Sequence, residues 1–346
     1  MNMIELILSN ALFPESTYSS DYKDRETGSV VGSPHEIIQP DKKYITISIK
    51  SARIEKVKKL WKKYHGVVYS FFRFLHSETG VAEMASVTLP TKLKELDGHG
   101  VNNVIQMDDI VLGPVPYRGG SVEMEIGLLA VEHDDLAGKF VGFIGKVGEQ
   151  TGAPKFFAKS VPILGLIKSG IEMLTGTNKA KSLKIGIAQE LWGETLKTGF
   201  YFASHAEKGE IDSSKLTIDK EDGRLLLNGE PFKDDSYFVF SISATQKRDD
   251  IESIPELLNG YQEIQAAVRV GDLERAKKAV DVYKFLCLAS PDLIDSDRIR
   301  LWKEGKHAYD LAVSELKEKV AVSAMRDSKG AIGAEMPDFA DIAAYN

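Results

Sequence analysis

The chain has one cysteine, Cys287, so no disulfide can form within it and a reducing, cytoplasmic setting is expected. Positive charge is in short supply. With 44 Lys and Arg against 51 Asp and Glu, the formal net charge is −7 and the pI near 5.6, which argues against a general binder of nucleic acid or anionic membranes. The opening MNMIELILSNALFPEST has an apolar run but no basic flank and only a short apolar core. It reads as a first strand or helix and not a signal peptide. Chemical signatures are missing as well. There is no Gly-x-Ser-x-Gly elbow, and His65, His76, His99, His133 and His205 lack metal-ligand spacing. The run from Gly142 to Gly152 contains Gly-Lys without P-loop spacing or the following Ser/Thr. Cys287, flanked by Leu286 and Leu288, reads as a buried structural thiol because no histidine is tied to it by sequence.

What is present is a globular composition, 43% hydrophobic and 27% charged over 346 residues, enough for about two domains. The clearest pattern lies in Asn103–Asp135. There Val122, Met124, Ile126, Leu128 and Ala130 alternate, which puts one face of a strand in a core. Before it, Gly113-Pro114 and the run Pro116 to Gly120 form a corner able to carry the chain from one sheet to another.

Strands are also expected at Tyr44–Ile49, Val67–Leu75, Val81–Leu89, Leu183–Ala188, Thr198–Ser204, Lys215–Ile218, Arg224–Leu227 and Tyr237–Ser243. The second and third read as a hairpin around His76 to Gly80. Asp222-Gly223 and Asn228-Gly229 supply turn signals. Close spacing of about ten short strands points to an antiparallel β-sandwich and away from a doubly wound sheet. Between them, Ile54, Val57, Leu60, Trp61 and Tyr64 repeat at helical spacing, so a helix ending at Gly66 is expected. Lys56, Lys58, Lys59, Lys62 and Lys63 would then form a basic outer face, read as solvated lysine stems or as a partner patch.

From Leu136 to Gly176 the pattern turns helical. A helical hairpin packed on a sheet is the expectation, because Pro162 and the short Val161–Ile167 run fall well short of the roughly 20 residues that span a bilayer. Beyond Arg248, helices are expected from Ile254 to Val268, from Leu273 to Leu286, and from Ser296 to Lys319 with Ile299, Trp302, Tyr309, Val313 and Leu316 as buried positions. Ser290-Pro291-Asp292 interrupts, and from Ser323 the period is lost in what reads as a mobile tail. The divisions are thus an N-terminal segment, partly loop (1–35), a sheet region (36–250) with a helical insertion at 135–177, a helical domain (251–320) and a tail (321–346).

Four Asp-Asp pairs stand at strand ends: Asp108-Asp109, Asp134-Asp135, Asp234-Asp235 and Asp249-Asp250. They would offer Ca²⁺ hard oxygen ligands only if their loops cluster, and aspartate is common in turns for local reasons. No other cofactor is expected. Lys56, Lys59, Lys63, Tyr117 and Arg118 are the residues proposed for contact with a partner, expected to be another protein.

The sequence QMDDIVLGPVPYRGGSVEMEIGLLAV, then LKIGIA, GFYFAS and YFVFSIS, and finally SPDLIDSDRIRLW, resembles an uncharacterised bacterial family with a C2-like β-sandwich associated with multi-gene conflict systems. The resemblance spans about Tyr44 to Leu316 and carries over no catalytic residue. It implies an α+β, C2-like antiparallel sandwich with an inserted helical hairpin and a C-terminal helical region, acting as a non-enzymatic interaction module. The alternatives are a membrane-acting protein using the apolar helix at 154–176, and a hydrolase of unrecognised type.

Overall fold

In a computed structural model of the protein, residues 25–30, 35–53, 58–59, 62–77, 80–87, 104–132, 183–191, 193–207 and 209–332 are described. The strands are β1 (Arg25–Ser29), β2 (Tyr44–Arg53), β3 (Lys58–Lys59), β4 (Lys62–Ser77), β5 (Gly80–Val87), β6 (Val104–Pro116), β7 (Val122–Glu132), β8 (Leu183–Leu191), β9 (Gly199–Glu207), β10 (Leu216–Ile218), β11 (Leu225–Leu227), β12 (Glu230–Pro231) and β13 (Tyr237–Thr245). The helices are α1 (Pro255–Arg269), α2 (Leu273–Ala289) and α3 (Asp295–Ile332). The fold is mixed α+β, and every strand pair among the described residues is antiparallel. The chain divides into a sheet unit, Met1–Ser253 with Pro291–Ile294, and a helical unit, Ile254–Ser290 with Asp295–Asn346.

In the sheet unit one sheet runs β1-β9-β13-β2-β6 and another runs β3-β4-β7-β8 with β5 on β4. Both feed one core. On β7, Val122, Met124, Ile126 and Leu128 are buried together with Val68, Phe72 and Phe74 of β4, Ile45, Ile47 and Ile49 of β2, and Phe238, Phe240 and Ile242 of β13. The alternation seen in the sequence is therefore the core face of β7. The chain passes from the first sheet to the second at the corner between β6 and β7, as the Pro/Gly punctuation suggests.

β13 shows why YFVFSIS is nearly unbroken hydrophobic sequence. Phe238, Phe240 and Ile242 face the main core, whereas Tyr237 and Val239 face a second cluster with Leu216, Leu225 and Phe232 under the small β10-β11-β12 sheet. A strand covered on both faces needs no polar side. The Tyr237 hydroxyl accepts the Leu225 backbone N–H at 3.2 Å, tying the small sheet to its support.

One local expectation fails. The helix anticipated from Ile54 to Tyr64 is not formed at its described positions: Lys58–Lys59 pairs with Lys62–Lys63 as a hairpin, and β4 continues through Ser77. Long-range pairing of β4 with β7, from Tyr64 opposite Glu132 to Phe74 opposite Val122, overrides the accidental helical spacing. The N-terminal segment, expected to be partly loop, contributes a strand, β1, paired with β9. The hairpin of β4 and β5 forms as expected. The helical insertion at 135–177 lies outside the described residues.

In the helical unit, α1 begins with Pro255, whose missing N–H costs nothing in a first turn. Gly271 breaks the chain and the Asp272 side chain caps α2 by accepting from the Arg275 N–H at 3.0 Å. Leu257, Ile264, Ala276, Tyr283 and Cys287 are buried. α3 has 38 residues against 15 in α1 and 17 in α2, so it outruns its neighbours. It also continues past Ser323 to Ile332, where the sequence period fades. Of its expected buried positions, Ile299 is exposed and Trp302, Tyr309, Val313 and Leu316 are half-buried, while Leu301 and Gly305 are buried.

Candidate functional site

The most elaborate polar arrangement among the described residues gathers at the ends of four strands of the sheet unit. The corner after β6 is stitched to the chain entering β2: the Asp41 N–H donates to the Tyr117 carbonyl at 2.7 Å and the Tyr117 N–H to the Lys43 carbonyl at 3.0 Å. Tyr117 is buried, and its hydroxyl donates to the Gly120 carbonyl at 3.0 Å. Its neighbour Arg118 pairs with Asp41 at 3.1 Å through one guanidinium nitrogen. The other, Nη2, donates to the carbonyls of Pro291 at 3.1 Å and Leu293 at 2.6 Å.

Arg248, just beyond β13, does the same for the residue between them. Its side chain is 1% exposed. Nε and Nη2 donate to the two oxygens of Asp250, each at 2.8 Å, and Nη2 also reaches Ser253 Oγ at 2.8 Å. Its Nη1 donates to the Asp292 carbonyl at 3.2 Å. A guanidinium with all its sides engaged in this way is rigid. Burial opposes ionisation of Asp250, but the hydrogen bonds from Arg248 and Ser253 prevail and hold its carboxyl below the usual range. The guanidinium also lies 5.8 Å from the ring centroid of Tyr44, the first residue of β2, and the Tyr44 hydroxyl accepts the Ile294 N–H at 3.1 Å.

The last wall is His76, near the end of β4. Its Nε2 is 3.3 Å from Asp292 Oδ1, and its ring lies edge-on to Phe74. Burial lowers the affinity of the imidazole for a proton; the Asp292 carboxylate works against this and the Arg118 charge adds to it, leaving the pKa below its ordinary value. The imidazole is therefore neutral at neutral pH. Pro291–Ile294 is a turn-and-bend segment with Leu293 and Ile294 fully buried.

The Asp-Asp pairs are not brought together. Among the described residues no three His, Cys, Asp or Glu side chains form a group able to hold a metal ion. Asp108 pairs with Lys50, Asp249 with Lys247 at 2.8 Å, and Asp250 with Arg248, while Asp235 lies 3.6 Å from His205 and Asp234 is exposed. Asp109 is half-buried on β6; Asp134 and Asp135 lie outside the described residues. So does Lys56. Lys59 and Lys63 sit opposite hairpin partners, so the basic helix face expected of them does not form. The apolar segment 154–176 is likewise outside the described residues, and no helix among those described is long and apolar enough to cross a membrane.

Of the candidate site residues singled out in the sequence, Tyr117, Arg118 and Asp250 stand in this arrangement. Tyr44, His76, Arg248 and Asp292 were legible only as strand ends or an interruption. One signal was available: Leu293 and Ile294 follow Ser-Pro-Asp directly, and two aliphatic residues inside a helix-breaking loop need a burial place. The chain matches no family model, no curated protein and no solved structure.

Proposed function

We propose that the protein is a non-enzymatic interaction module built on a C2-like antiparallel sandwich, working in the cytoplasm as an accessory component of a bacterial conflict system, the setting that the sequence resemblance implies. The observation that carries this reading is on α2. Val282, Phe285 and Leu288, spaced three residues apart, are 57%, 70% and 43% exposed. Single exposed apolar residues need no explanation, but a row of three large ones along one helix suits a protein partner. Phe285 is the anchor, since a large ring buried at an interface contributes the most.

Co-purification with the products of neighbouring genes tests it. The wild type is expected to retain a partner that the variant V282E/F285E loses while keeping its circular dichroism and cooperative melt. A partner retained equally by both, or none retained by the wild type, counts against the reading.

A further inference from the structure

Three consecutive carbonyls, those of Pro291, Asp292 and Leu293, receive arginine N–H groups, and the next N–H, that of Ile294, is received by a tyrosine hydroxyl. In regular structure such groups are satisfied by other backbone; here side chains from the ends of β2, β6 and β13 read the main chain. The readers are held by partners of their own. Arg118 is paired with Asp41 and Arg248 with Asp250, so each guanidinium also has an anchor outside the segment it binds. Two further features give selectivity. The Asp292 carboxylate lies beside His76 in a site carrying two cationic groups, and Leu293 and Ile294 are both 0% exposed. The segment is flanked in sequence by α2 and α3, yet it belongs to the sheet unit.

We propose that these strand ends form a peptide-binding site, occupied in this state by the chain's own Pro291–Ile294 as a tethered ligand. The partner that competes for it presents a turn of the same chemistry: a proline, an acidic residue and two aliphatic residues, bound through its main-chain carbonyls. The occupant's chemistry is read from the segment seated there. Tethering gives that segment an effective concentration in the millimolar range, so a competitor must be tight or locally concentrated, which is how a regulated interaction module works. The inference deepens the interaction-module reading and rests on it.

The test uses the full-length chain and a fluorescent peptide of sequence SPDLIDS, followed by anisotropy. The variant L293N/I294N weakens the tethered ligand and is expected to bind the peptide at least ten-fold more tightly than the wild type. Adding Arg118→Ala is expected to abolish that gain, and a peptide with Asn for Asp and Ser for both aliphatic residues is expected not to bind. Equal binding by wild type and a folded L293N/I294N variant overturns the proposal, as does binding indifferent to Arg118→Ala.

Should the variant not fold, hydrogen exchange on the wild type decides. Excess peptide is expected to accelerate exchange of the Ile294 amide several-fold without changing β7, and an unchanged rate overturns the proposal. Partner capture that depends on Phe285, with no response to the peptide in either experiment, leaves the interaction-module reading standing and removes this one.

Discussion

Tyr283 on α2 and Gly305 on α3 meet so closely that a methyl group on Gly305 would lie 2.5 Å from Cε1 and 2.7 Å from Cδ1 of the ring. Tyr283 is 1% exposed and Gly260 of α1 closes its other side, where a methyl would lie 2.9 Å from Leu286 and 3.1 Å from the ring. Alanine is the better helix former by about 1 kcal/mol, but overpacking a filled core costs about 1–3 kcal/mol. Gly305→Ala is therefore expected to lower stability in denaturant melts despite its helix propensity. Combining it with Tyr283→Leu is expected to cost less than the sum of the two single changes, since the second removes the obstacle.

Cys287 provides a reporter of the same helical unit. It is 0% exposed, and burial pushes its thiol up to about 11, with a hydrogen bond from Tyr283 acting the other way. Only the thiolate attacks a disulfide reagent, and at pH 8 its fraction is about one in a thousand. The native protein is expected to be inert to a thiol-specific chromogenic reagent at that pH and to react fully in guanidinium. A fast reaction under native conditions would mean that α2 opens readily.

A third expectation concerns the corner that carries Arg118. Gly113 has φ +94°, and a Cβ there would lie 2.1 Å from the Ile45 carbonyl oxygen, a backbone atom that cannot step aside. Gly120, with φ +72°, has open space around it. Gly113→Ala adds a backbone collision to the conformational strain and is expected to cost about 2 kcal/mol or more, whereas Gly120→Ala pays the strain alone, about 1–2 kcal/mol. Thermal melts of the two variants give the comparison.

Acid stability should depend on His76. Its pKa in the folded protein lies below the ordinary 6.5, so between those two values the unfolded chain binds more protons than the folded one. Stability from this group is complete above about pH 6.5 and declines as pH falls toward the folded value. The melting temperature is expected to drop across that window, and His76→Gln is expected to flatten the slope. A wild-type profile that rises on acidification would contradict the assignment of a neutral imidazole beside Asp292.

Where periodicity and burial coincide, the sequence is a faithful guide. The alternation of Val122 to Leu128 marks the core face of β7 because its other face is not in that core. The helix inferred from Ile54, Val57, Leu60, Trp61 and Tyr64 does not form at its described positions, because a helical repeat over so few turns arises by chance and β4 draws its stability from β7, far along the chain. The arrangement around Pro291–Ile294 was out of reach for a different reason. It joins Tyr44, His76, Arg118 and Arg248 to a segment beyond α2, and nothing local to any of them announces the others.

The pairing of β2 with β13 carries a consequence for biosynthesis. Ser243 donates its hydroxyl to the Thr46 carbonyl across 197 residues of sequence. At about 5–20 residues per second on the ribosome, roughly 10–40 s separate the emergence of these two strands. β6 can shield one edge of β2 early, but the other edge waits for almost the entire sheet unit to be translated. A nascent chain stalled before Tyr237 would thus display an apolar strand to solvent and to any chaperone that guards it.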